Sequence, residues 1–142
     1  VGGHAGLFSN ASEVAILMQL FLQQGSYADK HYFSTTTFDQ FNQCLYCEEG
    51  NRRGVGFDKP QLEGRGSTCG CVPKSSFGHS GFTGTYAWAD PEKDLIYVFL
   101  SNRVNPSAEN WKIVHLNIRT DIQIKIYQAV RQAKNYNFLV SN

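Results

Sequence analysis

No stretch of this sequence is apolar for long enough to cross a bilayer. The longest run, Val14 to Leu22, is interrupted by Gln19 and falls well short of the roughly 20 residues a spanning helix needs. Charge of one sign is equally scarce. Thirteen Lys and Arg against twelve Asp and Glu leave a formal charge of +1. No basic run or stripe marks a nucleic-acid partner. Proline occurs only four times, and no low-complexity tract or internal repeat is present, which excludes an extended proline-rich linker or a repeat array. No secretory leader or lipid-attachment motif is visible. Val1 followed by two glycines reads as a cut or mature end, so targeting information is expected upstream.

What is present describes a folding chain. Hydrophobic residues make up 42% of 142 positions and aromatics 13%, enough for one domain, residues 1–142, with a sizeable core. The order of patterns predicts an α+β fold, a mostly antiparallel sheet of roughly three to five strands flanked by helices. After a glycine-rich loop at Gly2 to Ser9, Asn10 offers an N-cap and Glu13 could close a capping box. The helix from about Ala11 to Gln24 carries Val14, Leu17, Met18, Phe21 and Leu22 on one face, with Gly25 as its stop. Ile16 and Leu20 widen that surface, so most of the helix is expected to be covered. A second helix is expected after Ser34, with Phe38 and Phe41 facing inward. Gly54 to Phe57 reads as a short strand within a long loop from Glu48 to Ser76.

Three further strands are expected at about Ser76 to Ser80, Thr85 to Ala89 and Leu95 to Ser101. The turn residues Asp90 to Asp94 join the last two. Ile96, Val98 and Leu100 alternate with Leu95, Tyr97 and Phe99, which predicts a strand covered on both faces and hence central. A helix from about Asn117 to Ala133 supplies one cover, and residues from Asn135 onward are expected to fray.

The four cysteines fall in two tight pairs, Cys44-Leu-Tyr-Cys47 and Cys69-Gly-Cys71. Spacing leaves disulfides, a structural zinc site and free thiols open. The single residue between Cys69 and Cys71, where zinc knuckles usually have two, weakens the zinc reading. In an exported protein, disulfides joining the two loops would serve equally well.

The chemistry concentrates in Phe77-Gly78-His79-Ser80-Gly81-Phe82-Thr83-Gly84-Thr85, which holds three of the thirteen glycines. Glycines at 78, 81 and 84 let a ligand or another strand approach the backbone closely. This strip, together with Trp88-Ala89-Asp90-Pro91-Glu92-Lys93-Asp94 and Val98-Phe99-Leu100-Ser101-Asn102-Arg103, resembles the C-terminal part of the serine β-lactamase and penicillin-binding-protein family. The class C-like branch, with its esterases and D-aminopeptidases, is the nearest in pattern. The opening Gly3-His4-Ala5-Gly6-Leu7-Phe8-Ser9 and the helix after it are similar to that branch's glycine-rich loop. Such domains also occur fused behind glycoside hydrolases in bacterial cell-wall proteins.

The family performs acyl transfer with a Ser-x-x-Lys, a Tyr-x-Asn or Ser-x-Asn, and a Lys-Thr-Gly on a sheet-edge strand. The resemblance places His79-Ser80-Gly81 where Lys-Thr-Gly would stand. It implies that His79 engages the substrate or the catalytic hydroxyl network and that Ser80 donates to a substrate carboxylate or carbonyl. Gly81 would let the substrate lie along the strand, and the Phe82 amide would be one of two oxyanion donors. It implies no cofactor and no metal at the catalytic centre, a peptide or small-molecule substrate, and a periplasmic or secreted location in the bacterial envelope. No serine here has a lysine three residues on, and neither Tyr-x-Asn nor Ser-x-Asn occurs. Without a base to take its proton a serine hydroxyl is a poor nucleophile. The resemblance therefore implies a truncated domain, inactive by itself, whose partner is the missing N-terminal part of the same domain.

Other candidates have plainer readings. His4 belongs to a glycine loop near a helix start, and His31 and His115 have no partner pattern. Arg52-Arg53 reads as a solvated pair, and Arg103 as a turn residue pairing with a nearby carboxylate. Trp88, inside a strand, is expected in the core, while Trp111 could pack or stack on a sugar. Asn10-Ala11-Ser12 is a glycosylation sequon that doubles as a helix cap.

Overall fold

The computed structural model describes residues 7–61 and 66–140. The opening glycines and His4 lie outside them. Helix α1, Ala11–Leu22, begins where expected because Asn10 accepts the Glu13 amide at 3.0 Å. The Glu13 carboxylate takes a hydrogen bond from Ser9 at 2.8 Å, so only half of the capping box forms. Gln24 and Gly25, both at positive φ, turn the chain out of the helix. A hairpin follows that sequence patterning does not foresee, β1 (Ser26–Tyr27) against β2 (Lys30–His31). Its two-residue turn, Ala28-Asp29, has φ of 48° and 61° and lacks the Asn-Gly or Asp-Gly pair that usually announces one. Helix α2, Thr35–Asn42, is capped by Ser34. Phe38 is buried, but Phe41 is half exposed, which corrects its inward assignment.

The main sheet has three antiparallel strands in the order β3 (Phe77–Ser80), β4 (Tyr86–Asp90) and β5 (Leu95–Phe99). Strand β4 is thus the central one. Strand β5 is an edge, half-buried except at Tyr97, and Leu100 lies beyond it and exposed. Hydrophobic alternation alone could not separate these positions, because a long apolar run fits either. The two faces of β4 differ in size. Ala87 and Ala89 turn toward α1, which approaches closely over small residues, and join Phe77, Ile96, Met18 and Phe38 in one core cluster. Tyr86 and Trp88 turn the other way and stack with centroids 5.6 Å apart. With Tyr97, Val72 and Ile126 they form a second cluster.

Helix α4, Ile118–Val140, covers this second face partly through polar contacts. Buried Gln123 accepts the Cys69 amide at 2.9 Å and contacts the Tyr86 hydroxyl. Tyr127 donates to buried Asp90, and Tyr97 donates to the Arg119 carbonyl at 3.3 Å. The helix runs on to Val140, so residues 135–140 are helical where fraying was expected. A short helix α3, Lys112–His115, precedes it.

Three further expectations are corrected. Residues 54–57 form a tight reverse turn, closed by Gly54 N–H on the Phe57 carbonyl at 2.7 Å, and not a strand. The cysteines bond within their pairs, Cys44–Cys47 and Cys69–Cys71. They therefore neither join the loops nor leave thiolates for zinc. Ile16 and Leu17 are about half exposed on α1, at 47% and 51%, so that helix is covered on one side only. Trp88 is buried as expected. Among the described residues no helix is long and apolar enough to cross a membrane.

Candidate functional site at the open end of strand β3

Strand β3 is held on both edges, but only at its beginning. Gly78 exchanges backbone hydrogen bonds with Asp58 at 2.8 and 3.1 Å, while β4 pairs along the other edge. A side chain at 78 would strike the Ala87 carbonyl and the Trp88 ring, at 2.2 and 2.4 Å from the position of a Cβ. This explains glycine there by packing inside the sheet. Backbone groups of a strand alternate in direction. Since Gly78 bonds toward Asp58 and Gly81 bonds back toward Thr85 at 2.8 Å, the Ser80 N–H and C=O face the edge that Asp58 no longer covers. His79 is exposed and Ser80 half-buried.

The strand then enters a turn whose Thr83 and Gly84 carbonyls are tied to the body of the protein. Gly84, at φ 91°, donates to the Gly81 carbonyl at 2.9 Å. The Thr83 carbonyl accepts from the Arg103 amide at 2.9 Å and from the Ser101 hydroxyl at 3.1 Å. Arg119 reaches the Gly84 and Thr85 carbonyls at 3.1 and 3.5 Å. By contrast, the amides of Phe82 and Thr83 meet no acceptor among the described residues. The turn is therefore rich in unpaired donors at an exposed surface, an arrangement suited to an anionic oxygen.

Three arginines that sequence reasoning set aside prove to belong here. Buried Arg103 finds no carboxylate among the described residues. Its guanidinium donates to the carbonyls of Ala108 and Asn110 at 2.7 and 3.2 Å. It lies 3.8 Å from the centre of the Trp111 ring and 4.7 Å from that of Phe82. Trp111, left open above, thus packs on a cation, and Phe82 is anchored although 68% exposed. Arg52 and Arg53 are not a solvated pair. Both clamp the buried carboxylate of Asp58, at 2.8 and 3.1 Å, and Arg53 Nη1 reaches His79 Nε2 at 2.7 Å. The signal in the sequence was the position of the arginine pair just ahead of Asp58. Only the fold reveals that a residue 26 positions earlier touches His79.

Elsewhere, Lys59 is buried, with its ammonium on Asn42 Oδ1 and the Ser75 carbonyl at 3.0 and 3.2 Å. Burial lowers its pKa to about 8. Burial likewise raises the Tyr86, Tyr97 and Tyr127 hydroxyls above the usual phenol range, with Asp90 adding to the effect on Tyr127. Among the described residues, no group of three or more His, Cys, Asp or Glu gathers as metal ligands.

A three-stranded antiparallel sheet between helices, with a His-Ser-Gly edge strand leading into a donor-rich turn, is the kind of framework that serine hydrolases of the penicillin-recognising type use. A model of the beta-lactamase family matches residues 1–117, and the chain belongs to that family. It is 36% identical, over 104 residues, to a protein of Escherichia coli O157:H7 provisionally named as a D-alanyl-D-alanine carboxypeptidase; the match covers 72% of this chain and 24% of the relative. A Salmonella enteritidis PT4 protein of the same provisional name is 34% identical over 117 residues, covering 80% of this chain and 26% of the relative. The chain thus spans about a quarter of the length of the curated relatives it matches.

Proposed function

We propose that the chain forms the sheet-edge wall of the acyl-transfer site of a beta-lactamase-family serine hydrolase, one that cleaves an amide or ester through an acyl-enzyme. The observation that carries this reading is the turn after β3, where the Gly81, Thr83 and Gly84 carbonyls are bound and the Phe82 and Thr83 amides meet no acceptor among the described residues. The Phe82 amide donates to the oxyanion, and loss of one such donor typically costs about 10²–10³ in rate. Ser80, on the open edge, donates to the acyl donor, Gly81 lets it lie along the strand, and His79 stands beside the reacting groups.

The nucleophile comes from a segment bearing Ser-x-x-Lys, which these 142 residues do not contain, so the chain by itself is inactive. Its partner is the remainder of the same domain. Leu7 and Phe8, at 82% and 95% exposure, and half-exposed Ile16 and Leu17 are apolar surface suited to that partner. The relatives' name supports a cell-wall peptide as substrate. Two disulfides support an oxidising compartment, the periplasm or cell exterior.

The test is to treat the whole polypeptide that carries this chain with a fluorescent penicillin and with a fluorophosphonate, and to map the labelled serine. Labelling outside these residues is expected, with none in the chain alone. A labelled serine inside the chain would refute the assignment of parts. A whole polypeptide that binds cell-wall peptides but takes up neither probe would make this domain a binding module.

A further inference from the structure

The contact between Arg53 and His79 has a chemical consequence. A guanidinium carries N–H donors and no acceptor, so a ring nitrogen 2.7 Å from Arg53 Nη1 must be the acceptor. That nitrogen is Nε2, and the imidazole proton then sits on Nδ1. Arg53 is not free to swing away at no cost. Its Nε lies 3.1 Å from the Asp58 carboxylate, which is 1% exposed and would be left with one cation fewer. Its backbone is held as well, through the Asn51 side chain on its amide at 3.1 Å and the bridge to Asp58. Asp58 in turn is fixed to Gly78, the residue before His79.

We propose that Asp58 and Arg53 form a positioning device for His79, locking the imidazole in the Nδ1–H tautomer. In that form Nδ1 is the ring's hydrogen-bond donor. It does not act as a general base through Nε2, whose lone pair is occupied by Arg53. Arg53 also brings a fixed positive charge to the strand end, where the matching Lys-Thr-Gly pattern would carry a lysine. The use made of that donor rests on the acyl-transfer reading; the tautomer itself does not.

The experiment is long-range ¹⁵N–¹H correlation on the full chain labelled at histidine, with the His79 signals assigned by their loss in His79→Asn. The expected result is a pyridine-type nitrogen at Nε2 and a pyrrole-type nitrogen at Nδ1. In Arg53→Met this pattern is expected to relax toward the tautomer mixture of free histidine, while the backbone amide spectrum away from residues 51–58 and 77–80 stays in place. The variant leaves the Asp58 carboxylate paired with Arg52 alone, at 2.8 Å, so some loss of stability is expected with it. If the variant fails to fold, the unaltered protein still decides the matter. An Nε2–H or doubly protonated His79 in the unaltered protein overturns the proposal, as does an unchanged His79 pattern in Arg53→Met. Serine labelling of the whole polypeptide is read separately, so a labelled serine together with the wrong tautomer removes this inference and leaves the hydrolase reading standing.

Discussion

Replacing Arg103 with methionine is the most informative single perturbation of the turn that carries the Phe82 amide. Methionine keeps much of the apolar stem and deletes the guanidinium. The structure loses charge-assisted hydrogen bonds to the Ala108 and Asn110 carbonyls and two cation–ring contacts, to Trp111 and Phe82. Hydrogen bonds to a charged group contribute about 1.5–3 kcal/mol each, and cation–ring contacts about 0.5–1 kcal/mol. The carbonyls recover part of this from water and the methionine packs part of the gap, which leaves a net loss of about 3 kcal/mol. Against a typical total of about 5–15 kcal/mol, that is a large share. With a urea m-value of about 1.5 kcal/mol/M, the unfolding midpoint followed by tryptophan fluorescence should fall by about 2 M. Hydrogen exchange at the Gly84 amide, which bonds the Gly81 carbonyl across this turn, should also speed up more than exchange in β4. Lysine at 103 keeps the charge but cannot lie flat between two rings, so it should restore less than half of the loss. A midpoint within about 0.3 M of the unaltered protein would mean that the guanidinium does not organise the turn.

Two other outcomes follow from the packing. Gly78→Ala should destabilise by about 3 kcal/mol or more, because its new carbon meets the Ala87 carbonyl and the Trp88 backbone as well as the Trp88 ring. Gly81→Ala meets the rotatable Thr85 hydroxyl at 2.3 Å and should cost less than about 1 kcal/mol; equal losses in urea unfolding would contradict this account. Stability should also climb with pH above neutrality. Lys59 has a folded-state pKa of about 8 against 10.5 for the free side chain, so the unfolded chain binds the extra proton between those values. Raising the pH through that window relieves up to about 3 kcal/mol of burial cost. Tyr86, Tyr97 and Tyr127 have raised folded values and so act in the opposite sense above about pH 10, where the unfolded phenols ionise first. Urea midpoints taken from about pH 7 to about pH 11 should pass through a maximum near pH 10, and Lys59→Met should lack the rise.

Legibility differed by element, and the differences have a common cause. Helix α1 and its cap were readable because Asn10 with Glu13 at one end, and the Gly25 stop at the other, each act within a few residues of the helix end they set. The same holds for β3 through β5, whose hairpin turn and alternation are local. Strand order was not readable, since β5 carries enough apolar residues for a centre yet sits at an edge. The β1–β2 hairpin was missed because Ala28-Asp29 adopts positive φ without the usual turn residues. Phe41, Ile16 and Leu17 follow helical periodicity faithfully, but periodicity cannot say whether anything lies opposite.

For the site, the sequence alone determined which residues stand at the end of β3. His79, Ser80, Gly81 and Phe82 are consecutive, and their order needs no folding to be seen. Only the tertiary structure decided what holds them. Arg53 reaches His79 across 26 positions, and Arg103 reaches Phe82 from beyond two strands. It also decided that each cysteine bonds its near neighbour. The two arginine contacts are chosen by closing long loops around a buried carboxylate or beside two rings, and that choice leaves no periodic trace in the chain.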